Sequence, residues 1–491
     1  MGTWPKNPLI YEINTWVWLA ELSRKASRPI TLASVPEAEW DRIAAMGFDA
    51  VWLMGVWERS PRGIEISMDN DSLLADFRRA LPDFTEPDNV GSPYCIRSYS
   101  VAPHLGGPAG LAEARWRLSR RDLLLILDFV PNHAAPDHPW VERHPDFFIQ
   151  GNKDHLRQDP DSFLKIDGTV FACGRDPFFP AWPDVLQLNA FHDGLRSAMK
   201  ATLMEIGHQC DGVRCDMAML PMNAVFEKTW GFLTGPPPAE EYWPPIISGV
   251  KDRYPDFRFI AEAYWDLEWE LQQQGFDYCY DKRLYDRLEH GPAESVRLHL
   301  CADTPYQEKL VRFIENHDEP RAADAFAPLK QRALAVTALT LPGARLVHEG
   351  QLEGRRVRLP VFLARRPEET PVPETVAFYH RLLGFLQGDV FQRGVWRLCG
   401  CTGWPDNPSC GNLVAWSWAH GATRRLLVVN LSAMPSQALV LIPWDDLRGG
   451  HWRFEDVFTS SVYERNGDEL ADQGLFVDLP AWGFHVLAGS R

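Results

Sequence analysis

The sequence predicts an α/β chain built on a (β/α)8, or TIM, barrel, with a small subdomain inserted after the third strand and an all-β sandwich domain at the C-terminal end. Three observations carry the prediction. Apolar runs of strand length alternate with amphipathic helical stretches over about the first 385 residues, and eight such runs are counted. Four of the runs end abruptly in acidic or imidazole side chains. Beyond residue 388 the rhythm changes to short β-prone runs separated by Gly, Pro and Asn. Alternating βα units imply a parallel sheet with right-handed crossovers, and eight units close a barrel.

The strands are read as Ile10–Thr15, Ala50–Met54, Leu123–Phe129, Gly212–Cys215, Phe259–Ala261, Phe276–Tyr280, Val311–Ile314 and Ala344–His348. Most of their residues are apolar, as expected of strands buried on both faces. Between them lie helical patterns over 36–46, 110–120, 195–206, 285–300 and 321–341. Residues 134–188 break the rhythm. They are rich in Pro, Asp, Phe and His, and a long aperiodic insertion in a compact barrel is usually functional. They are read as a subdomain beside the mouth of the barrel. The barrel then comprises residues 1–133 and 189–387. The runs LVAWSWA, RRLLVVNL, QALVLIPW and GFHVLAG give the sandwich over 388–491.

Composition narrows the function. A net charge of −16 over 491 residues argues against nucleic acid, whose phosphates need Lys and Arg, and against an anionic membrane surface. No apolar run approaches a spanning length. The opening MGTWPKNPLIYEINTW lacks a basic segment followed by a long apolar one, so no secretory leader is expected. The nine cysteines are odd in number and irregular in spacing. They fit free thiols in a reducing cytoplasm better than a disulfide framework. Cys399, Cys401 and Cys410 lack zinc-site spacing. The twenty Trp would suit sugar faces, but composition alone assigns most of them to the core.

The strand ends carry the chemistry. LLLILDFVPNH ends with Asp128, Asn132 and His133, GVRCDMA with Asp216, FIAEAYW with Glu262 and FIENHDEPR with His317 and Asp318. Polar residues at the C-terminal ends of several barrel strands converge on one site. Glycoside hydrolysis needs a protonated carboxyl on one side of the anomeric carbon and an ionised one on the other. Glu262, flanked by Ile260, Ala261, Ala263, Tyr264 and Trp265, sits in an apolar setting that favours its neutral form. Arg214 lies two residues before Asp216, on the same strand face, and should hold it charged. His133 and His317 are expected to donate to sugar hydroxyls as neutral imidazoles. Arg355-Arg356 and Arg365-Arg366 read as surface charges, and Arg321 lies near the site by sequence.

DFVPNH, GVRCDMA, AEAYW and ENHDEP resemble the four signature regions of the α-amylase family, glycoside hydrolase family 13, in the same order. WPDVLQLN (182–189), SPYCIRSYSVAPHLGG (92–107) and LVHEGQLEG (346–354) resemble three further segments of that family. The resemblance spans most of the chain. It implies Asp216 as the nucleophile of a double displacement with retention of the α-anomer, Glu262 as general acid/base and Asp318 as transition-state stabiliser. It implies Arg214, His133 and His317 as sugar-orienting partners, Tyr94 as the aromatic platform under the sugar, and Asp128 as a structural aspartate. Two departures stand out. Cys95 replaces the family's Asp after the platform tyrosine. Met219 and Leu220 replace a Lys-His pair that serves an acceptor subsite and, in many members, calcium. No cofactor or metal is therefore expected, calcium near Asn132 being the one ion the resemblance raises.

The expected function is a retaining hydrolase of α-glucosidic bonds in α-glucans or oligosaccharides. A transglycosylase or isomerase using the same residues is the first alternative, and a catalytically inactive carbohydrate-binding protein the second. An α-linked oligosaccharide or polysaccharide is the expected partner. Linkage, chain length, endo or exo attack and oligomeric state are not legible in the sequence.

Overall fold

The computed structural model describes residues 3–491. Eight parallel strands close a barrel in the order β1–β8–β7–β6–β5–β4–β3–β2. They are β1 (Leu9–Asn14), β2 (Ala50–Met54), β3 (Leu124–Phe129), β4 (Gly212–Cys215), β5 (Arg258–Ala261), β6 (Tyr278–Tyr280), β7 (Leu310–Arg312) and β8 (Ala344–His348). All eight expected strands are present; three have the expected bounds and the ends of the other five shift by no more than two residues. β6 and β7 are only three residues long. The chain leaves the sheet early there, freeing Ile314–Asp318 to turn into the mouth.

Nearly every barrel-strand residue is buried, which explains why the strands are mostly apolar. Inward side chains such as Ile10, Trp52, Ile126, Ile260, Val311 and Leu346 fill the barrel. Outward ones such as Tyr11, Val51, Leu125 and Val213 join the core under the surrounding helices. Gly55, just after β2, has φ +76°, and a side chain there would meet the guanidinium of Arg59. Its N–H donates to Asp128 Oδ2 at 2.7 Å.

Two helical expectations are corrected. The pattern over 285–300 is two helices, Lys282–His290 and Ala293–Leu300. Gly291-Pro292 separates them because proline disfavours helical backbone at the residue before it. The pattern over 321–341 is a single turn, Ala322–Ala325, followed by Pro328–Thr340, with Pro328 in the first helical position it favours.

Two helices that periodicity did not single out, Pro61–Met68 and Asp71–Ala80, follow β2. Within the insertion, strands Phe163–Ile166, Thr169–Gly174 and Trp182–Gln187 with His133–Ala134 form a four-stranded antiparallel sheet. That sheet is anchored at β3 through His133.

The C-terminal region forms antiparallel strands in two layers. Val395–Thr402 belongs to both layers. Its first half pairs with Leu413–His420, and Gly400–Thr402 pairs with Ser436–Leu441. Leu413, Ala415, Leu426, Val428, Val440 and Val477 fill the space between the layers. The outer face of one layer docks on the barrel. Trp416 and Trp418 are buried there, and their indole N–H groups donate to Thr340 Oγ1 at 3.2 Å and Thr340 O at 2.8 Å. Eleven of the twenty tryptophans are buried, so most of them do belong to the core.

Candidate active site

The C-terminal ends of β3, β4, β5 and β7 bring the expected residues to one place. Asp216 follows β4, Glu262 follows β5, and Asp318 lies on the loop after β7. Arg214, on β4, ties two of them together. Its Nη1 lies 2.7 Å from Asp216 Oδ1 and its Nη2 2.8 Å from Glu262 Oε2. The guanidinium is buried within 5.2–5.7 Å of the ring centroids of Tyr94, Trp52 and Tyr280. Aromatic faces and carboxylates together compensate its burial. Arg214 thus reaches Asp216 as the i, i+2 spacing implies, and it also reaches Glu262, which the sequence did not suggest.

The three acids differ in setting. The side chains of Asp216 and Glu262 are 6% and 4% exposed, whereas that of Asp318 is 40% exposed. Burial pushes the Glu262 carboxyl up to about 7 against the pull of Arg214, with Asp216 and Asp318 adding to the rise. Burial also moves Asp216 upward from its ordinary range, opposed by Arg214. Asp318 moves down; the pull of His317 outweighs the opposing effect of its burial. The group that holds a proton near neutrality is therefore Glu262. Its Oε2 accepts from Met217 N at 2.6 Å and its Oε1 from Tyr264 OH at 3.1 Å. Left-handed backbone sits beside both buried acids: Met217 has φ 43°, Trp265 61° and Asp266 65°. Such conformations cost on the order of 1–3 kcal/mol each and persist where the surroundings over-determine them.

The two histidines behave oppositely. Burial lowers His133 to about 3, and its Nε2 lies 4.0 Å from Asp216 Oδ2. It is neutral, as expected. His317 is not. Its Nδ1 lies 2.5 Å from Glu12 Oε1 and its Nε2 3.0 Å from Asp318 Oδ2. Burial pulls its pKa down, but these two carboxylates outweigh it and raise the imidazole to about 10. The expectation of a neutral His317 is corrected, because Glu12 was overlooked. Glu12 is a lone acid near the end of the otherwise apolar LIYEIN, and that isolation was the available signal. Tyr94 OH lies 2.6 Å from His317 Nε2, so the ring is pinned over Arg214 with its hydroxyl on the imidazole.

This arrangement sets a stability prediction. His317 holds its proton more tightly folded than at its ordinary value of 6.5. Its stabilising contribution is complete below about pH 6.5 and is lost as pH rises through about 10. Wild type should lose stability over that window, and Glu12→Gln should be less stable at pH 6.5 by roughly 1–3 kcal/mol with a flatter pH dependence. Urea melts of both proteins at pH 6.5 and 9.5 check this; equal pH slopes would contradict it.

Other groups support the frame. Asp128 is fully buried and accepts from Trp52 Nε1 at 3.0 Å and Gly55 N at 2.7 Å, a structural position. Cys95 does not replace an acid's hydrogen bond to the sugar side, since its Sγ donates to Asp184 O at 3.0 Å. Met219 and Leu220 are buried and offer no polar contact to an acceptor. Arg321 is locked by Glu315, whose Oε1 lies 2.7 Å from Arg321 Nη1 and whose Oε2 accepts from Ala322 N at 2.7 Å. This buried pair fixes the exit of the loop carrying Asp318. Arg366, read as a surface charge, is buried and paired with Glu349 and Glu21.

Asn132 is buried beside Gln187. Its Oδ1 accepts from Gln187 Nε2 at 2.9 Å, and among the described residues no group of three or more His, Cys, Asp or Glu side chains could hold a metal ion.

Fold and site together define a (β/α)8 barrel with three carboxylates and a bridging arginine at its C-terminal mouth. The resemblance to the α-amylase family is borne out by similar proteins. α-Amylase MalA of Haloarcula japonica is 23% identical over 373 residues, covering 72% of this chain and 45% of that protein. An α-1,4-glucan:maltose-1-phosphate maltosyltransferase of Rhodospirillum rubrum is 28% identical over 287 residues, covering 54% of this chain and 35% of that one. The chain thus spans less than half the length of these curated relatives. Among solved structures, a noncanonic maltogenic α-amylase, AmyB, from Thermotoga neapolitana superposes with a TM-score of 0.68 at 20% identity over 99% of both chains. An α-amylase from H. orenii gives 0.67 at 17% identity over 99% of this chain and all of that one. These structures share the fold. No family model matches the chain.

Proposed function

We propose that the protein is a retaining enzyme acting on α-glucosidic bonds, with Asp216 as nucleophile, Glu262 as general acid/base and Asp318 as stabiliser of the charged transition state. The observation that carries this reading is Arg214 bridging the buried carboxyls of Asp216 and Glu262 at the ends of adjacent strands, with burial raising Glu262 to about 7. A protonated acid beside a second carboxylate is what acid and nucleophile roles require. In the first step Asp216 bonds to the anomeric carbon as the glycosidic C–O bond breaks, and Glu262 gives its proton to the departing oxygen. In the second, Glu262 takes a proton from water as that oxygen displaces Asp216, restoring both groups. Tyr94, His133, Arg214 and His317 bind and orient the sugar; His317 does so as a cation. No step draws on a metal.

The names of the similar proteins support an α-linked saccharide as substrate. Those named maltosyltransferases also favour a second reading, in which a sugar acceptor takes the place of water. Product analysis with an added saccharide acceptor decides between them: transfer products that outweigh free sugar at high acceptor favour the second. A cytoplasmic location is part of the proposal. All nine cysteines are free, six of them buried, and among the described residues no helix is long and apolar enough to cross a membrane.

The pH profile follows from the two carboxyls. Activity should fall as pH rises through about 7, where Glu262 loses its proton. It should fall at the acid side as Asp216 becomes protonated, at a pH above the ordinary 3.8. A plot of kcat/KM against pH on an unactivated α-glucoside checks both limbs; a rate still rising above pH 8 would contradict the assignment of Glu262.

A further inference from the structure

The mouth of the barrel is closed on one side and open on the other. After β8 the chain from Val357 to Arg365 runs as a strap across the mouth. At one end Val357 O faces Arg321 Nε of the β7 loop at 3.5 Å. At the other the strap is stitched to the loop after β2 that carries Tyr94. Phe362 O accepts from Val90 N at 2.9 Å, Asp88 O accepts from Ala364 N at 2.8 Å, and Arg59 Nη1 donates to Val361 O at 3.2 Å. Arg365 Nε adds an ion pair to Asp88 at 2.6 Å. The strap has its own apolar core: Val357, Leu359, Phe362 and Leu363 pack on Phe77 and Leu81 beside the Asp71–Ala80 helix. It is a built wall rather than a loose loop.

The space behind this wall, between it and the ends of β1, β7 and β8, is a cavity of about 20 Å³, room for little more than one water. Arg358 lines it, exposed and with no hydrogen bond or ion pair among the described residues. Its charge helps depress the Asp318 carboxyl. On the opposite side of the ring, four strands from β1, lies β5 with Glu262. There the mouth carries exposed rings: Phe178 is 57% and Phe179 65% exposed, and Phe178 packs on Trp265 at 4.9 Å.

The acid fixes the direction of the substrate. The oxygen protonated by Glu262 departs on the β5 side, so the sugar that stays behind points toward the strap. We propose that the enzyme is exo-acting: the strap Val357–Arg365 stops the saccharide at its non-reducing terminal unit, Arg358 binds the hydroxyls of that unit, and the rest of the chain leaves over the open aromatic side. This rests on the assignment of Asp216 and Glu262 above.

The test compares a p-nitrophenyl α-malto-oligosaccharide with the same compound blocked by a 4,6-O-ethylidene group on its non-reducing terminal glucose, with products resolved by length. The expected result is cleavage of the free-ended compound alone, each product shortened from that end. Cleavage of both at similar rates, with internal products, would overturn the exo assignment and leave the reaction assignment standing. Cleavage of neither would overturn the reaction assignment and the exo assignment with it. A second measurement isolates Arg358. Arg358→Ala, an exposed substitution, should raise KM for the free-ended compound several-fold with a smaller change in kcat, and an unchanged KM would remove Arg358 from terminal-unit recognition.

Discussion

Asp216→Asn should abolish turnover, with kcat on any α-glucoside falling by roughly 10⁴-fold or more, the scale seen when a nucleophile is removed. The substitution is nearly isosteric, and the amide oxygen still accepts from Arg214 Nη1, now 2.7 Å from the carboxylate. Arg214 keeps Glu262 at 2.8 Å and its three aromatic neighbours. The fold should therefore survive. Asp216 is itself pushed upward by its burial and by Asp318 and Asp128, so removing one negative charge relieves crowding. The melting temperature should stay level or rise slightly. Steady-state rates together with a thermal melt check this, and a folded variant retaining a tenth of wild-type activity would remove Asp216 from the nucleophile's role.

Glu262→Gln should discriminate between substrates. A leaving oxygen that needs a proton loses the acid entirely, and a rate loss of about 10²–10⁴-fold is expected for unactivated α-glucosides. An aryl glycoside with a stable phenolate leaves without help, so its first step should be much less affected. The fall in activity through about pH 7 should also vanish, because the titrating group is gone. Rates for a series of aryl glycosides of differing leaving-group pKa check this. A loss of equal size across the series would mean that Glu262 does not protonate the leaving oxygen.

Much of this architecture was legible in the sequence, for a physical reason. Strands buried on both faces are mostly apolar, so all eight stood out along the chain, and the acids Asp216, Glu262 and Asp318 marked where those segments meet the mouth. What stayed hidden depends on contacts between distant segments. Glu12 and His317 are 305 positions apart, and nothing local to either tells that their pairing makes the imidazole a cation. Glu315 and Arg321 are close in sequence, yet the burial that locks them together comes from β8 and its loop. The helices over 61–80 are amphipathic, yet the second packs Phe77 and Ala80 on the strap rather than on the main core, a partner that no local pattern identifies. Arg366 looked like a surface charge because its partner Glu21 follows β1, far away in sequence, and only the closure of β1 against β8 brings it beside Glu349.

The most direct test is to find where a trapped sugar is held. Wild-type protein or Glu262→Gln is incubated with 5-fluoro-α-D-glucosyl fluoride and digested, and the labelled peptide is sequenced by mass spectrometry. One glycosyl unit per chain on the carboxylate of Asp216 is the predicted result. A label on any other side chain, or steady turnover of α-glucosides with inversion at the anomeric centre, would contradict it.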